Sequence, residues 1–294
     1  MELRNLPAIS TLSDSVTVCE YNGVKIVRVI HQQAEAGISL HGGHLLWFKP
    51  ANQHDVIWLS EEAIISKEKA IRGGIPICWP WFGRLAEPAH GFARTSNWTL
   101  SEHKENNNGV IISLTLSHSK ETLSIWPHRF LATLNIEVSD TLTVTLDIEN
   151  CDDDEWRFSG ALHTYLNLAD ILSSTVTGMG AEYVDSLADT TITTGPDELM
   201  INSAIDRVYL KPASRLDIND PSHQRTLTVC NQGDNSAVIW NPWLEGATAM
   251  ADMAAQGYQT MLCVESTLYA NSLEEGKQLQ PGEHYQISTT IGVK

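Results

Sequence analysis

Apolar and polar residues alternate along much of this chain. Val16-Thr17-Val18-Cys19-Glu20 is followed by Val24-Lys25-Ile26-Val27-Arg28-Val29-Ile30, with Asn22-Gly23 between them. Successive side chains of a strand point to opposite faces, so such runs predict half-buried strands. Asn-Gly suits a two-residue hairpin turn because both positions tolerate positive φ. The arrangement recurs. Runs 98–103 and 110–118 flank Asn106-Asn107-Asn108-Gly109, and runs 130–138 and 142–148 flank Ser139-Asp140. Runs 278–280 and 284–291 flank Pro281-Gly282-Glu283. Many β-branched residues and closely spaced turns predict antiparallel sheets packed face to face.

Helical signal is scarce. The stretch 60–69 predicts a short helix, and 242–253 predicts another, with Asn241 as cap and Pro242 in the first turn. There is no internal repeat, low-complexity linker or sharp change of composition. The simplest architecture is all-β: one large twisted antiparallel β-sandwich over residues 1–294 with a few short helices. Two smaller β domains joined near 173–221, the least periodic stretch, are the other partition.

Charge narrows the function. A net charge of −17 repels DNA, RNA and anionic membranes, so no nucleic-acid or membrane partner is expected. A few arginines could still set the field of one pocket for a small anion. The first residues lack the pattern of a secretory signal, and no stretch reaches the ~18 apolar residues of a membrane span. Five widely spaced cysteines without a CxxC fit neither a disulfide framework nor a zinc knuckle. They fit reduced thiols and a cytoplasmic protein.

Four segments look chemical. Arg72 to Gly83 (RGGIPICWPWFG) packs two prolines, three glycines, two tryptophans and a phenylalanine into one irregular path. Proline fixes φ and glycine permits close backbone approach. Rigid aromatic loops of this kind wall sugar sites, and they also plug the ends of sandwiches. His90-Gly91-Phe92-Ala93-Arg94, if extended, puts His90, Phe92 and Arg94 on one face. Arg72 and Arg94 could grip a phosphate through forked hydrogen bonds, or each could pair with a surface carboxylate. Ala161-Leu162-His163-Thr164-Tyr165 sets a histidine in an apolar strand, as a hydrogen-bonded core residue or a general acid. Met261-Leu262-Cys263-Val264-Glu265 ends an apolar run on a carboxylate, as a strand-end ion pair or a general base. His41-Gly42-Gly43-His44 lacks a convincing third metal ligand, and Cys151-Asp152-Asp153-Asp154-Glu155 reads as a solvated turn; no metal is expected.

RGGIPICWPWFG (72–83), HGFAR (90–94), ALHTY (161–165), DRVY (206–209), WNPW (240–243) and LCVES (262–266) occur in one order. Together they resemble the hexose-6-phosphate mutarotase family, the glucose-6-phosphate 1-epimerases of the galactose-mutarotase-like superfamily, from about Gly37 to the C-terminus. The resemblance implies a large β-sandwich with its site in a concave cleft. It implies cofactor-free interconversion of the α and β anomers of an aldohexose 6-phosphate. It implies His163 as general acid, Glu265 as general base, Arg72 and Arg94 on the phosphate and nearby oxygens, and His90 and Asp206 on the sugar. Ala89 stands where some relatives carry glutamine, so a contact from that position is lost; Trp81 is a weaker expectation for sugar packing. The expected working form is an imidazolium with a carboxylate, in a monomer acting on a small sugar phosphate. A non-catalytic sugar-phosphate sensor, a glycosidase using Asp206 and Glu265, and a mutarotase of unphosphorylated sugar are the rival readings.

Overall fold

The computed structural model describes residues 3–189 and 191–294. Among these residues the strands form four antiparallel sheets of nine, eight, five and two strands. The nine-stranded sheet runs, edge to edge, Glu198–Met200, Thr175–Thr177, Arg215–Asp220, Arg225–Gln232, His284–Val293, Leu142–Asn150, Phe130–Val138, Gly109–Ser117 and Thr99–Asn106. Its central strands show the alternation read from sequence: Leu142, Val144, Leu146 and Ile148 are buried, and the residues between them are not. These apolar faces meet Ala237, Ile239, Leu262 and Val264 of the eight-stranded sheet in the main core. That core also contains Val176, Leu199 and Leu216 from the 173–221 stretch.

The eight-stranded sheet runs Ile192–Thr194, Glu182–Asp185, Ile205–Tyr209, Ser236–Asn241, Met261–Leu268, Gly160–Leu162 and Ile77–Cys78, with Tyr165–Asn167 also pairing Met261–Leu268. Every residue of Met261–Leu268 is buried. Leu262, Val264 and Leu268 enter the main core, so alternation sends Cys263 and Glu265 to the other face. Register places the neighbours. Asp206 lies opposite Trp240, Trp240 opposite Cys263, and Cys263 opposite Tyr165. One row further, Val238 lies opposite Glu265.

Three of the four predicted hairpins form. Tyr21 pairs with Val24 across Asn22 (φ 51) and Gly23 (φ 75), the left-handed pair that this turn demands. Val138 pairs with Leu142, and Asn106 with Gly109. The fourth does not: Lys277–Leu279 pairs with Trp156–Phe158, while His284–Val293 lies between Arg225–Gln232 and Leu142–Asn150. A turn reverses the chain but does not choose its partner. Here the Gly282 amide donates to Asn150 O and steers the last strand into the large sheet.

The helix expected over 60–69 is absent. The Glu62 amide donates to Ser60 Oγ, and Ala63 and Ile65 pack with Leu46, Trp47 and Ile71. Local turns therefore serve a tertiary contact. The second predicted helix forms as Trp243–Ala249, shorter than 242–253, with the Trp243 amide donating to Asn241 Oδ1 at 2.9 Å. A further helix, Lys120–Ile125, carries a capping box between Ser119 and Thr122 and had no place in the sequence-based expectation. All five cysteines are free thiols.

Candidate active site

Arg72, His90, Arg94, His163, Asp206 and Glu265 line one cavity of about 440 Å3, on the face of the eight-stranded sheet turned away from the main core. The floor is set by a break in one strand. Leu162 pairs with Ser266 and Tyr165 with Cys263, on the same partner strand, and His163 and Thr164 fall between these ladders. The His163 amide donates to Pro76 O at 3.1 Å and the Val264 amide to Thr164 O at 3.0 Å. The gap brings the His163 ring beside the neighbouring carboxylate: Nε2 is 3.4 Å from Glu265 Oε1. His163 Nδ1 and Glu265 Oε2 are buried without a protein hydrogen-bond partner. Both residues line the cavity, so these atoms are placed to bond a ligand that enters it.

The Arg72–Gly83 segment forms the adjoining wall. His44 Nε2 donates to Gly73 O at 2.7 Å, and His41 Nε2 donates to Lys69 O at 2.7 Å. The two histidines thus hold the loop backbone rather than a metal. Burial pushes the His44 pKa down to about 3, which keeps the ring neutral. Gly74 has φ 69, and a Cβ there would sit 2.2 Å from Leu45 O and 2.4 Å from His44 Nε2. We expect Gly74→Ala to cost about 2–4 kcal/mol, read as a lower thermal midpoint, because the obstacle is backbone. An unchanged midpoint would show that the loop rearranges freely.

The segment 90–94 is not extended. His90 and Gly91 have positive φ, and Ala93–Thr95 is a short 3₁₀ turn. His90 and Arg94 still reach the cavity, while Phe92 packs on Trp79 and Trp81 in the core. Trp81 is buried, donates Nε1–H to Pro88 O at 2.8 Å and does not line the cavity; Phe82, Tyr165 and Trp240 supply aromatic walls instead. Trp79 and Trp81 are both core residues rather than walls of the cavity.

The cations differ. Arg72 donates Nε–H to Asp252 Oδ1 and Nη1–H to the Tyr165 hydroxyl, each at 3.2 Å. Arg94 donates to the backbone carbonyl of Ala89 at 2.7 Å, so the Ala89 position contributes main chain where a side-chain contact is missing. Arg84 also lines the cavity, and neither it nor Arg94 has a carboxylate partner among the described residues. Sequence reasoning missed Arg84, Tyr165, Trp240 and Asp252. Arg84 directly follows the glycine-rich motif and Tyr165 sits two residues past His163, which were usable signals. Asp252 lies 180 residues from Arg72 and had none.

Electrostatics departs from one expectation. Burial, then His90, Arg94 and Arg72, hold the His163 pKa well below its ordinary value. Burial and Asp206 hold Glu265 well above its own, with Arg94 opposing. Both shifts favour neutral imidazole with carboxylic acid over the expected imidazolium with carboxylate. The two forms contain the same number of protons, so the pair still holds one transferable proton. Burial and the three arginines push His90 down to about 4, and burial raises Asp206.

A larger depression of about 1010 Å3 lies by the N-terminal segment, lined by Arg4, Asp55, Trp58, Glu61 and His223 among others. Its cations are engaged, Arg4 with Asp55 and His223 with Asp220. The smaller cavity holds the unpartnered acid–base pair and takes precedence on chemistry.

Comparison with known proteins agrees with this geometry. The aldose 1-epimerase family matches residues 25–292. A protein of Escherichia coli (strain K12) named "Putative glucose-6-phosphate 1-epimerase" is 37% identical over 286 residues, 94% of each chain. One of the same name from Salmonella typhimurium is 35% identical over 298 residues, 98% of this chain and 97% of the relative. The crystal structure of a "putative mutarotase" from Salmonella typhimurium superposes with TM-score 0.94 at 33% identity, covering 99% and 98% of the two chains. The galactose 1-epimerase of Lactobacillus acidophilus NCFM shares the fold, with TM-score 0.74 at 14% identity and coverage of 97% and 99%. With its motifs in order, its sheets in register and its sequence matched from strand to strand, this chain belongs to the aldose 1-epimerase family.

Proposed function

We propose that the protein interconverts the α and β anomers of an aldohexose 6-phosphate, D-glucose 6-phosphate first among them, by ring opening and closure without a cofactor. The observation that carries this reading is the His163–Glu265 contact at 3.4 Å on the floor of a cavity lined by two guanidinium groups without a carboxylate partner among the described residues. The names of the near relatives support the phosphosugar substrate.

Opening a hemiacetal removes the proton of the C1 hydroxyl and supplies one to the ring oxygen. A pair sharing one proton does both without building a full charge on either oxygen. When substrate enters, its phosphate offsets Arg94 and Arg72, two of the charges that depress His163, and the proton moves from Glu265 to His163. Glu265 then takes the C1 hydroxyl proton while His163 protonates the ring oxygen. Rotation about C1–C2 and closure with roles exchanged give the other anomer. His90 and Asp206 hold sugar hydroxyls, and Trp240 and Phe82 cover C–H faces. Arg94 and Arg84 hold the phosphate, while Arg72, tied to Asp252 and Tyr165, serves nearby oxygens.

The whole chain acts as one mutarotase-like domain, supported by a main core that runs from Val16 to Ile291. We read the protein as a cytoplasmic monomer, and its free thiols fit a reducing compartment.

Anomer-exchange NMR on glucose 6-phosphate with catalytic amounts of protein tests the reading, and unchanged exchange would end it. The pH dependence of kcat/KM adds a second check. Activity needs one proton on the pair, so it falls when acid adds a second and when alkali removes the last. Burial moves the first event below the ordinary histidine range and the second above the ordinary glutamate range. The expected profile is a bell with a broad top. Free glucose run in parallel removes the phosphate's own ionisation near pH ~6. An acid limb at the ordinary histidine value with free glucose would contradict the assignment of His163.

A further inference from the structure

We propose that His163, Glu265 and Cys263 form a site for a thiophilic divalent cation such as Zn2+, and that its occupancy shuts down the proton-transfer pair. A nitrogen of His163, a carboxylate oxygen of Glu265 and Sγ of Cys263 all lie within 4.8 Å of one another. The nitrogen–oxygen separation suits one edge of a tetrahedral ion. Bonds of ~2.1 Å to nitrogen and oxygen imply a ligand–ligand edge of about 3.4 Å. The observed Nε2–Oε1 separation is 3.4 Å, long for a charge-assisted hydrogen bond and right for that edge. Glu265 Oε2 and His163 Nδ1 lack protein hydrogen-bond partners, so no competing hydrogen bond holds either atom.

The donor set is selective. Imidazole and carboxylate alone would accept many ions, whereas thiolate favours zinc, cadmium and cobalt over magnesium and calcium. Thiolate, carboxylate and a neutral imidazole also cancel the charge of a divalent ion, so the complex is neutral where it is buried. The thiol proton of Cys263 and the carboxyl proton of Glu265 both leave to solvent. Nearby Arg72 and Arg94 oppose the ion, and Asp206 favours it. A fourth coordination position faces the cavity, where it competes with a sugar oxygen. Bound metal ties up both proton-transfer groups, so occupancy and turnover exclude each other. The inhibitory consequence rests on the epimerase reading, but the site itself does not.

Cys263 makes the test clean, because it is buried and does not line the cavity. Co2+ added to the full-length protein, free of any histidine tag, should give a thiolate-to-cobalt charge-transfer absorption, and Zn2+ should abolish it. Cys263→Ala should lose that absorption, keep basal anomer exchange, and need at least ~10-fold more Zn2+ for half inhibition. If the alanine variant does not fold, Cys263→Ser keeps the volume and serves the same comparison. Wild-type absorption without a thiolate band overturns the site, whatever the protein does to glucose 6-phosphate. Equal Zn2+ sensitivity of wild type and the Cys263 variant overturns it as well. A thiolate band in a protein that exchanges no anomers would sink the epimerase reading and leave the metal site standing.

Discussion

Glu265→Gln is expected to slow anomer exchange of glucose 6-phosphate by about 10²–10⁴-fold, the range for one well-placed proton-transfer group. Glutamine keeps the shape of the buried side chain but holds no exchangeable carboxyl proton. His163 is then left without the group that completes the transfer. His163→Ala should lose a similar amount. The double variant should be little worse than either single one, because the two residues share one proton and act as a unit. Glu265 is only 1% exposed, so the fold could suffer instead of the chemistry. Circular dichroism and a thermal melt separate the two cases. Burial favours the neutral carboxyl, which glutamine mimics in shape and charge, so the midpoint should stay close to wild type. A variant that folds and retains exchange within a few-fold of wild type would remove Glu265 from the mechanism.

Arg94→Ala should lower kcat/KM for glucose 6-phosphate by about 10- to 100-fold, since hydrogen bonds to a charged group contribute ~1.5–3 kcal/mol. Turnover of unphosphorylated glucose should change little. The asymmetry follows from partners. Among the described residues Arg94 has no carboxylate partner, only the Ala89 carbonyl, and its charge is available to an anion. Arg84→Ala should show the same asymmetry with a smaller loss, because its exposed guanidinium is shared with water. Arg72→Ala should harm both substrates, since Arg72 also orients Tyr165 on the cavity wall and Asp252 beside it. Steady-state exchange rates on the two sugars check all three. Equal losses on both sugars for Arg94→Ala would make Arg94 structural and move the phosphate elsewhere.

Much of the architecture could be read before any coordinates, for a local reason. Alternation in 130–148 declares two strands with one buried face, and two or three turn residues between them leave only antiparallel pairing. Asn22-Gly23 specifies its hairpin because few residues accept left-handed backbone. Where the partner is distant in sequence, local reasoning stops. Pro281-Gly282-Glu283 marks a turn correctly, yet the strands on either side join different sheets. The stretch 60–69 has helical composition, but packing Ala63 and Ile65 against Trp47 outweighs propensity.

The site divides the same way. Motif order placed His163, Glu265, Arg72, Arg94, His90 and Asp206 in one family of positions, and all six line one cavity. Residue type alone said which could transfer protons and which could hold an anion. Protonation state was not legible, because it depends on burial and on charges brought near by folding. The same holds for Arg72, whose charge is engaged by Asp252 from 180 residues away, and for Trp81, which turned into the core while Trp240 took the cavity wall. Alternation, turn chemistry and side-chain chemistry are properties of a few adjacent residues, so the chain itself declares them. Sheet partners, proton placement and the choice of free guanidinium arise from contacts between remote segments, and only the folded molecule sets those.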